Sequence, residues 1–104
     1  MNHVNLIGKI TSQPEVYQSK SGKRTARFNL STEESYLDTK GNVKKRNYQH
    51  TITAWGIWVN LLEEKIEKGT SLAVEGRLIS RFYIDKDGSK KKSTEVEIND
   101  LIIL

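Results

Sequence analysis

Residues 45–69, KRNYQHTITAWGIWVNLLEEKIEKG, change their period in the middle, and that change decides the fold. Up to Trp55 the spacing is two. Tyr48, His50, Ile52 and Ala54 share one strand face, while Gln49, Thr51, Thr53 and Trp55 share the other. From Ile57 to Lys68 the apolar residues Trp58, Leu61, Leu62 and Ile66 fall near a 3.6-residue period. Glu64 and Lys68 form an i,i+4 pair in the favourable order, and Gly69 stands where a helix stop belongs. One strand therefore runs almost directly into one helix.

On either side the alternation continues. Residues 3–10 place Val4, Leu6 and Ile10 on one face, with Gly8 marking a bulge or sharp bend. Residues 24–35 alternate Ala26, Phe28 and Leu30 against Arg27, Asn29 and Ser31. After the helix, residues 70–85 alternate Leu72, Val74, Leu78 and Phe82 against Glu75, Arg77, Arg81 and Tyr83. Residues 92–103 bring Val96 and Ile98 inward and end in an apolar run from Leu101 to Leu104. Asp38–Asn42 and Asp85–Ser89 read as hairpin tips around Gly41 and Gly88, and Lys20–Lys23 as a turn. Three strands, a helix and two strands make an all-β fold. The order fits an OB-fold, a five-stranded Greek-key barrel with one helix between strands 3 and 4 and two long projecting hairpins. Other small β-rich domains share that order.

At 104 residues there is room for one domain spanning 1–104, and no linker or repeat divides it. The hydrophobic fraction of 36% is lean for so short a chain, which favours oligomerisation. A formal charge of +4 suits an anionic partner without requiring one. The absence of cysteine removes disulfide scaffolds, thiol nucleophiles and Cys-ligated zinc. No signal peptide and no apolar run of membrane-spanning length is present, so a cytoplasmic location away from membranes is expected.

Catalysis finds little support. His3 and His50 are the only imidazoles, and no triad, HExxH or Walker spacing accompanies them. His50, beside Ile52 and Ala54, reads as a hydrogen-bonded core or interface residue. Glu33-Glu34 and Glu63-Glu64 are sequence neighbours whose side chains diverge. No catalytic residue, metal or cofactor is expected.

The aromatics point elsewhere. Trp55 lies on an otherwise polar strand face, Tyr83 shares parity with Arg77 and Arg81, and Tyr36 precedes the first tip. Aromatic platforms edged by Lys and Arg are what sequence-neutral binding of a single strand requires. The same residues would equally brace a small sheet or an oligomer interface. Lys44-Lys45-Arg46 and Lys90-Lys91-Lys92 flank the two tips. Charge runs beside turns are commonly solvated surface, but here both lie on hairpins able to embrace a strand.

A series of short motifs runs along the chain: Asn2-His3-Val4-Asn5-Leu6-Ile7-Gly8, Pro14-Glu15-Val16, Ser21-Gly22-Lys23 and Ala26-Arg27-Phe28-Asn29-Leu30-Ser31-Thr32. They continue through His50, Trp55-Gly56, Lys68-Gly69-Thr70, Val74-Glu75-Gly76-Arg77-Leu78 and Thr94-Glu95-Val96. Their order and spacing carry a resemblance to the bacterial single-stranded DNA-binding protein (SSB) family. The resemblance implies an OB-fold assembling as a homotetramer, or a dimer, around single-stranded DNA in replication, recombination or repair. Tyr36, Trp55 and Tyr83 fall on base-stacking positions of the family. Arg81 falls on a basic position beside the last of these, Lys68 on the Lys-Gly pair closing the helix, and His50 on a histidine at the subunit interface. Arg77, Lys45, Arg46, Lys90 and Lys91 complete the expected phosphate-attracting set. Gln49 departs from the pattern, since the family usually places a stacking Trp there. The family's acidic C-terminal tip is also absent from the sequence, so recruitment of replication enzymes through it is not expected. Tail-less relatives such as primosomal replication protein N supply the alternative reading, an adaptor that binds DNA and replication-restart proteins.

Overall fold

A computed structural model describes residues 1–104. Its elements are β1 (Val4–Ile10), β2 (Glu15–Gln18), β3 (Arg24–Leu37), β4 (Val43–Trp55), α1 (Ile57–Lys65), β5 (Ser71–Ile84) and β6 (Lys90–Ile103). The strands pair in the order β1-β5-β6-β4-β3-β2, and β1 also pairs with β3. That last contact closes β1, β5, β6, β4 and β3 into the expected five-stranded barrel, with β2 as an extra ribbon on β3. All neighbours are antiparallel except β4 and β6, which meet in parallel at Ile52 and Val96. β2 was not anticipated. It has one half-buried apolar residue, Val16, opposite Ala26, and four residues are too few to display a period.

Closure happens at Gly8 and Lys9. Lys9 pairs with Ser71 on one side and Ser31 on the other, so β1 passes from one neighbour to the next there. The expected bulge at Gly8 is absent, since the register against β5 runs unbroken through it. Gly8 is required for space: a Cβ would lie 2.1 Å from the Ser31 carbonyl oxygen. The bulge is at Gly76, where Glu75 pairs with Asp100 and Gly76 with Ile98, leaving Asn99 unpaired. The extra residue reverses the parity of β6, which is why Ile98 and Leu101 both face inward.

The core gathers Ala26, Phe28 and Leu30 from β3, Ile52 and Ala54 from β4, and Leu72 and Val74 from β5, with the inward residues of β6. Val59 and Leu62 of α1 and the following Ile66 join the same buried cluster, with Trp58 and Leu61 packed against it. The helix ends at Lys65, three residues sooner than its periodicity suggests. Ile66 is extended but still buried, and the turn beyond is drawn to β1 by bonds from the Gly69 amide to the Ile10 carbonyl and from the Ile10 amide to that of Thr70. Arg24 of β3 holds the helix from outside through Asn60 and Glu63.

Both hairpins outrun the barrel. Their tips share one construction, in which an aspartate Oδ1 accepts two backbone amides: Lys40 and Asn42 onto Asp38, Asp87 and Ser89 onto Asp85. Beyond the barrel there is nothing to cover the inward face. Leu78 and Phe82, which share the parity of Leu72 and Val74 as their alternation was read, are therefore 48% and 73% exposed.

Candidate nucleic-acid interface

On the outer side of β3, β4, β6 and β5, opposite the core, lies a polar surface set by register. Thr25 pairs with Trp55, Arg27 with Thr53, and Asn29 with Thr51. Across the sheet Thr53 meets Glu97, Arg77 pairs with Glu97, Arg81 with Ser93, and Tyr83 with Lys91. Three depressions follow one another along this surface. The first, about 580 Å³, lies among Lys23, Trp55, Trp58, Arg77 and Glu97. The second joins Trp55 to Arg27, Ile79, Arg81 and Glu95. The third, about 290 Å³, reaches Asn29, Thr51 and Tyr83. Shared residues make them one groove running from Trp58 to Tyr83.

Two carboxylates form its floor. Glu95 is 3% exposed and accepts from Thr53 Oγ1 at 2.7 Å and from Arg27 Nη2 at 3.2 and 3.3 Å. Charge burial of this kind needs such pairing. Glu97 accepts from Arg77 at 2.8 and 3.2 Å and, through its other oxygen, from the Trp55 indole N–H at 3.2 Å. The Lys23 ammonium sits 4.0 Å from the Trp55 ring centroid. Glu97 and Lys23 thus hold the indole from its edge and its face. Arg27 and Arg77 are neutralised by the floor, whereas Arg81 and Lys23 have no carboxylate partner. The result is a groove with aromatic rings, a charge-neutral hydrogen-bonding floor and free cations, suited to flat polar rings joined by an anionic backbone.

Of the residues expected from sequence, the fold brings Trp55, Arg77, Arg81, Tyr83 and Lys91 to this face. Lys91 also lies 3.8 Å from Asp85. Lys45 has the same parity on the other hairpin and is paired with Glu33 at 3.3 Å. Tyr36 and Arg46 take the opposite parity, that of Phe28 and Ile52, with the guanidinium 3.9 Å from the ring centroid. Hydrogen bonding by the Tyr48 and then the Tyr36 phenol raises the Arg46 pKa further above its ordinary value, although a guanidinium is charged at any working pH without that help. Lys90 pairs across from Ile84, on the face away from Tyr83. Lys68 sits in the turn after α1 and lines none of the three depressions. His50 is half-buried with Thr32 Oγ1 at 2.9 Å from its Nε2. Gln49 accepts a hydrogen bond from Thr11 at 2.9 Å.

Lys23, Arg27, Trp58, Glu95 and Glu97 belong to the groove without having been singled out. For Arg27 and the glutamates a signal existed, because residues alternating with inward Ala26, Val96 and Ile98 must face outward. Nothing in the sequence alone couples Lys23 to Trp55.

Comparison with known proteins agrees with this geometry. The family model described as "Single-strand binding protein family" matches residues 1–104. "Single-stranded DNA-binding protein 1" of Chlorobaculum tepidum is 36% identical over 105 residues, covering 100% of this chain and 65% of its own length. The Neisseria meningitidis "Single-stranded DNA-binding protein" is 30% identical over 104 residues, covering 100% of this chain and 60% of that protein. The chain thus spans less than two thirds of the length of these curated relatives. A solved structure titled "Plasmodium falciparum SSB complex with ssDNA" superposes with a TM-score of 0.89 at 29% identity, covering 100% of this chain and 95% of that one. A deletion mutant of the Thermus aquaticus single-stranded DNA binding protein gives 0.87, also at 29% identity, covering 100% of this chain and 50% of that one. With its closed barrel, its groove and a family match along its whole length, the chain belongs to the single-strand binding protein family.

Proposed function

We propose that this domain binds single-stranded DNA without sequence preference, protecting it in replication, recombination or repair, and catalyses no reaction. The observation that carries the reading is the groove in which Trp55 and Tyr83 lie on one face with the unpaired cation Arg81. Bases stack on the two rings, and phosphates follow Arg81, Lys23 and Lys91 along the rim. Tyr36 and Arg46, with Lys45, extend the contact along the β3–β4 hairpin, and Lys68 serves as an outlying cation. Arg77 contributes while bound to Glu97. Sequence neutrality follows from the means of binding, because every base has a π-face and every nucleotide a phosphate.

Assembly completes the reading. Ile7, Ala73 and Ile102 form an apolar row across the outside of β1, β5 and β6, where Ile7 and Ile102 are exposed. This row, with His50 near a second contact, serves a homotetramer or a dimer. Sedimentation of an Ile7→Glu, Ile102→Glu double variant tests it: a smaller species than the parent is expected, and an unchanged one refutes the assignment.

The binding itself is tested by tryptophan fluorescence during titration with oligo-dT and with duplex of equal length, at low and moderate salt. Quenching by the single strand alone, weakening as salt rises, is expected. Absence of quenching by either nucleic acid, with no binding by an independent measure, would overturn the proposal.

A further inference from the structure

The β5–β6 hairpin has a second face that the groove does not use. Alternation divides the lysine run: Lys91 accompanies Tyr83, whereas Lys92 pairs with Phe82 and Lys90 with Ile84 on the reverse side. Phe82 is 73% exposed and Ile84 is similarly open, so neither ring nor branch contributes to the core. Neither Lys90 nor Lys92 has an ion-pair partner. Cross-strand neighbours have Cβ atoms about 5 Å apart, so the Lys92 side chain starts beside that of Phe82 and the Lys90 side chain diagonal to it. The reverse face therefore repeats the composition of the groove end, an aromatic ring flanked by cations, with no carboxylate to neutralise them.

We infer that this reverse face is a second contact for the same single strand, with Phe82 as a base platform and Lys90 and Lys92 as phosphate partners. The inference rests on the single-strand reading above. Charge selects the occupant. A second copy meeting this face by two-fold symmetry would bring the same unpaired lysines together, whereas a polyanion satisfies both. Continuity supports it too, because Phe82 directly follows Arg81 and precedes Tyr83. A strand leaving the groove at Tyr83 need only round the hairpin to reach it.

The test compares the parent chain with Phe82→Ala and Phe82→Trp, using oligo-dT of lengths on either side of the roughly 4–16 nucleotides one such barrel occupies. Phe82→Ala should bind the short oligomer like the parent and the long one at least about fivefold more weakly. Phe82→Trp should restore the long-oligomer affinity and add a quenching signal absent with the short one. Equal affinity of Phe82→Ala and parent at every length would overturn the inference, as would equal losses at short and long lengths. A change in sedimentation without DNA would instead make the face a contact between copies and overturn it as well. Failure of the parent to bind any oligo-dT would remove the single-strand reading itself, an outcome distinct from all of these.

Discussion

Trp55 illustrates how one side chain acquires a role from its surroundings. Its indole is held at the edge by Glu97 and on one face by Lys23, so it is oriented before any ligand arrives. Preorganised rings lose little freedom on binding. Trp55→Ala and Tyr83→Ala are each expected to weaken single-strand affinity by about 1–3 kcal/mol while leaving the thermal midpoint near that of the parent. Titration and melting curves check the two halves separately. Glu97 offers a sharper distinction. Glu97→Gln keeps an acceptor near the indole but releases the charge of Arg77, so low-salt affinity should rise by about 0.3–1 kcal/mol. Glu97→Ala also frees the ring, and its tryptophan emission should shift where that of Glu97→Gln does not. At this scale the sequence was partly legible. Trp55 stood out as an apolar ring on a polar face, but its two holders come from β6 and the turn before β3, and no local pattern announces such contacts.

Among the elements, the strands were legible and their limits were not. Alternation located β1, β3, β4, β5 and β6 because each has a buried and an exposed face. It failed for β2, which is too short, and for the far ends of the hairpins, where the period persists after the core has ended. Phe82 is the clearest instance: its parity was right, but parity says nothing about whether a core is there to bury it. The helix followed the same rule, since Ile66 fits the 3.6 period and is buried, yet it is extended because Gly69 and Thr70 are tied to Ile10. Two substitutions test the packing. Leu62→Ala, at the fully buried contact of α1 with the barrel, should cost about 2–5 kcal/mol in chemical denaturation. Gly8→Ala must displace the Ser31 carbonyl and should cost at least about 1–3 kcal/mol, although only one methyl group is added.

For the whole molecule the decisive quantity is the placement of charge. The net +4 is modest, and the groove floor cancels two of its own arginines. Free cations are left on the rim and the hairpins of a molecule 56 Å along its longest axis. Binding should therefore be strongly salt-dependent in spite of the small net charge. Arg81→Ala should lower the slope of log affinity against log salt by about 0.7, the share of one phosphate contact on a single strand. Base preference should stay unchanged, and titrations with oligo-dT and oligo-dC at several salt concentrations measure both. The composition allowed an anionic partner without requiring one and could not say where it would lie, because an overall charge carries no address. Register supplies the address.

The paired Asp–Gly tips carry a consequence for how such hairpins can change over time. Each tip clamps the two strands in one alignment, so length varies only by adding matched residues to both sides. A single added pair below the tip would turn every side chain beyond it to the other face, exchanging the surroundings of Lys90 and Lys91. Two added pairs would leave all of them where they were. Reach along a bound polymer is therefore inherited in even steps, and odd ones rewrite the surface.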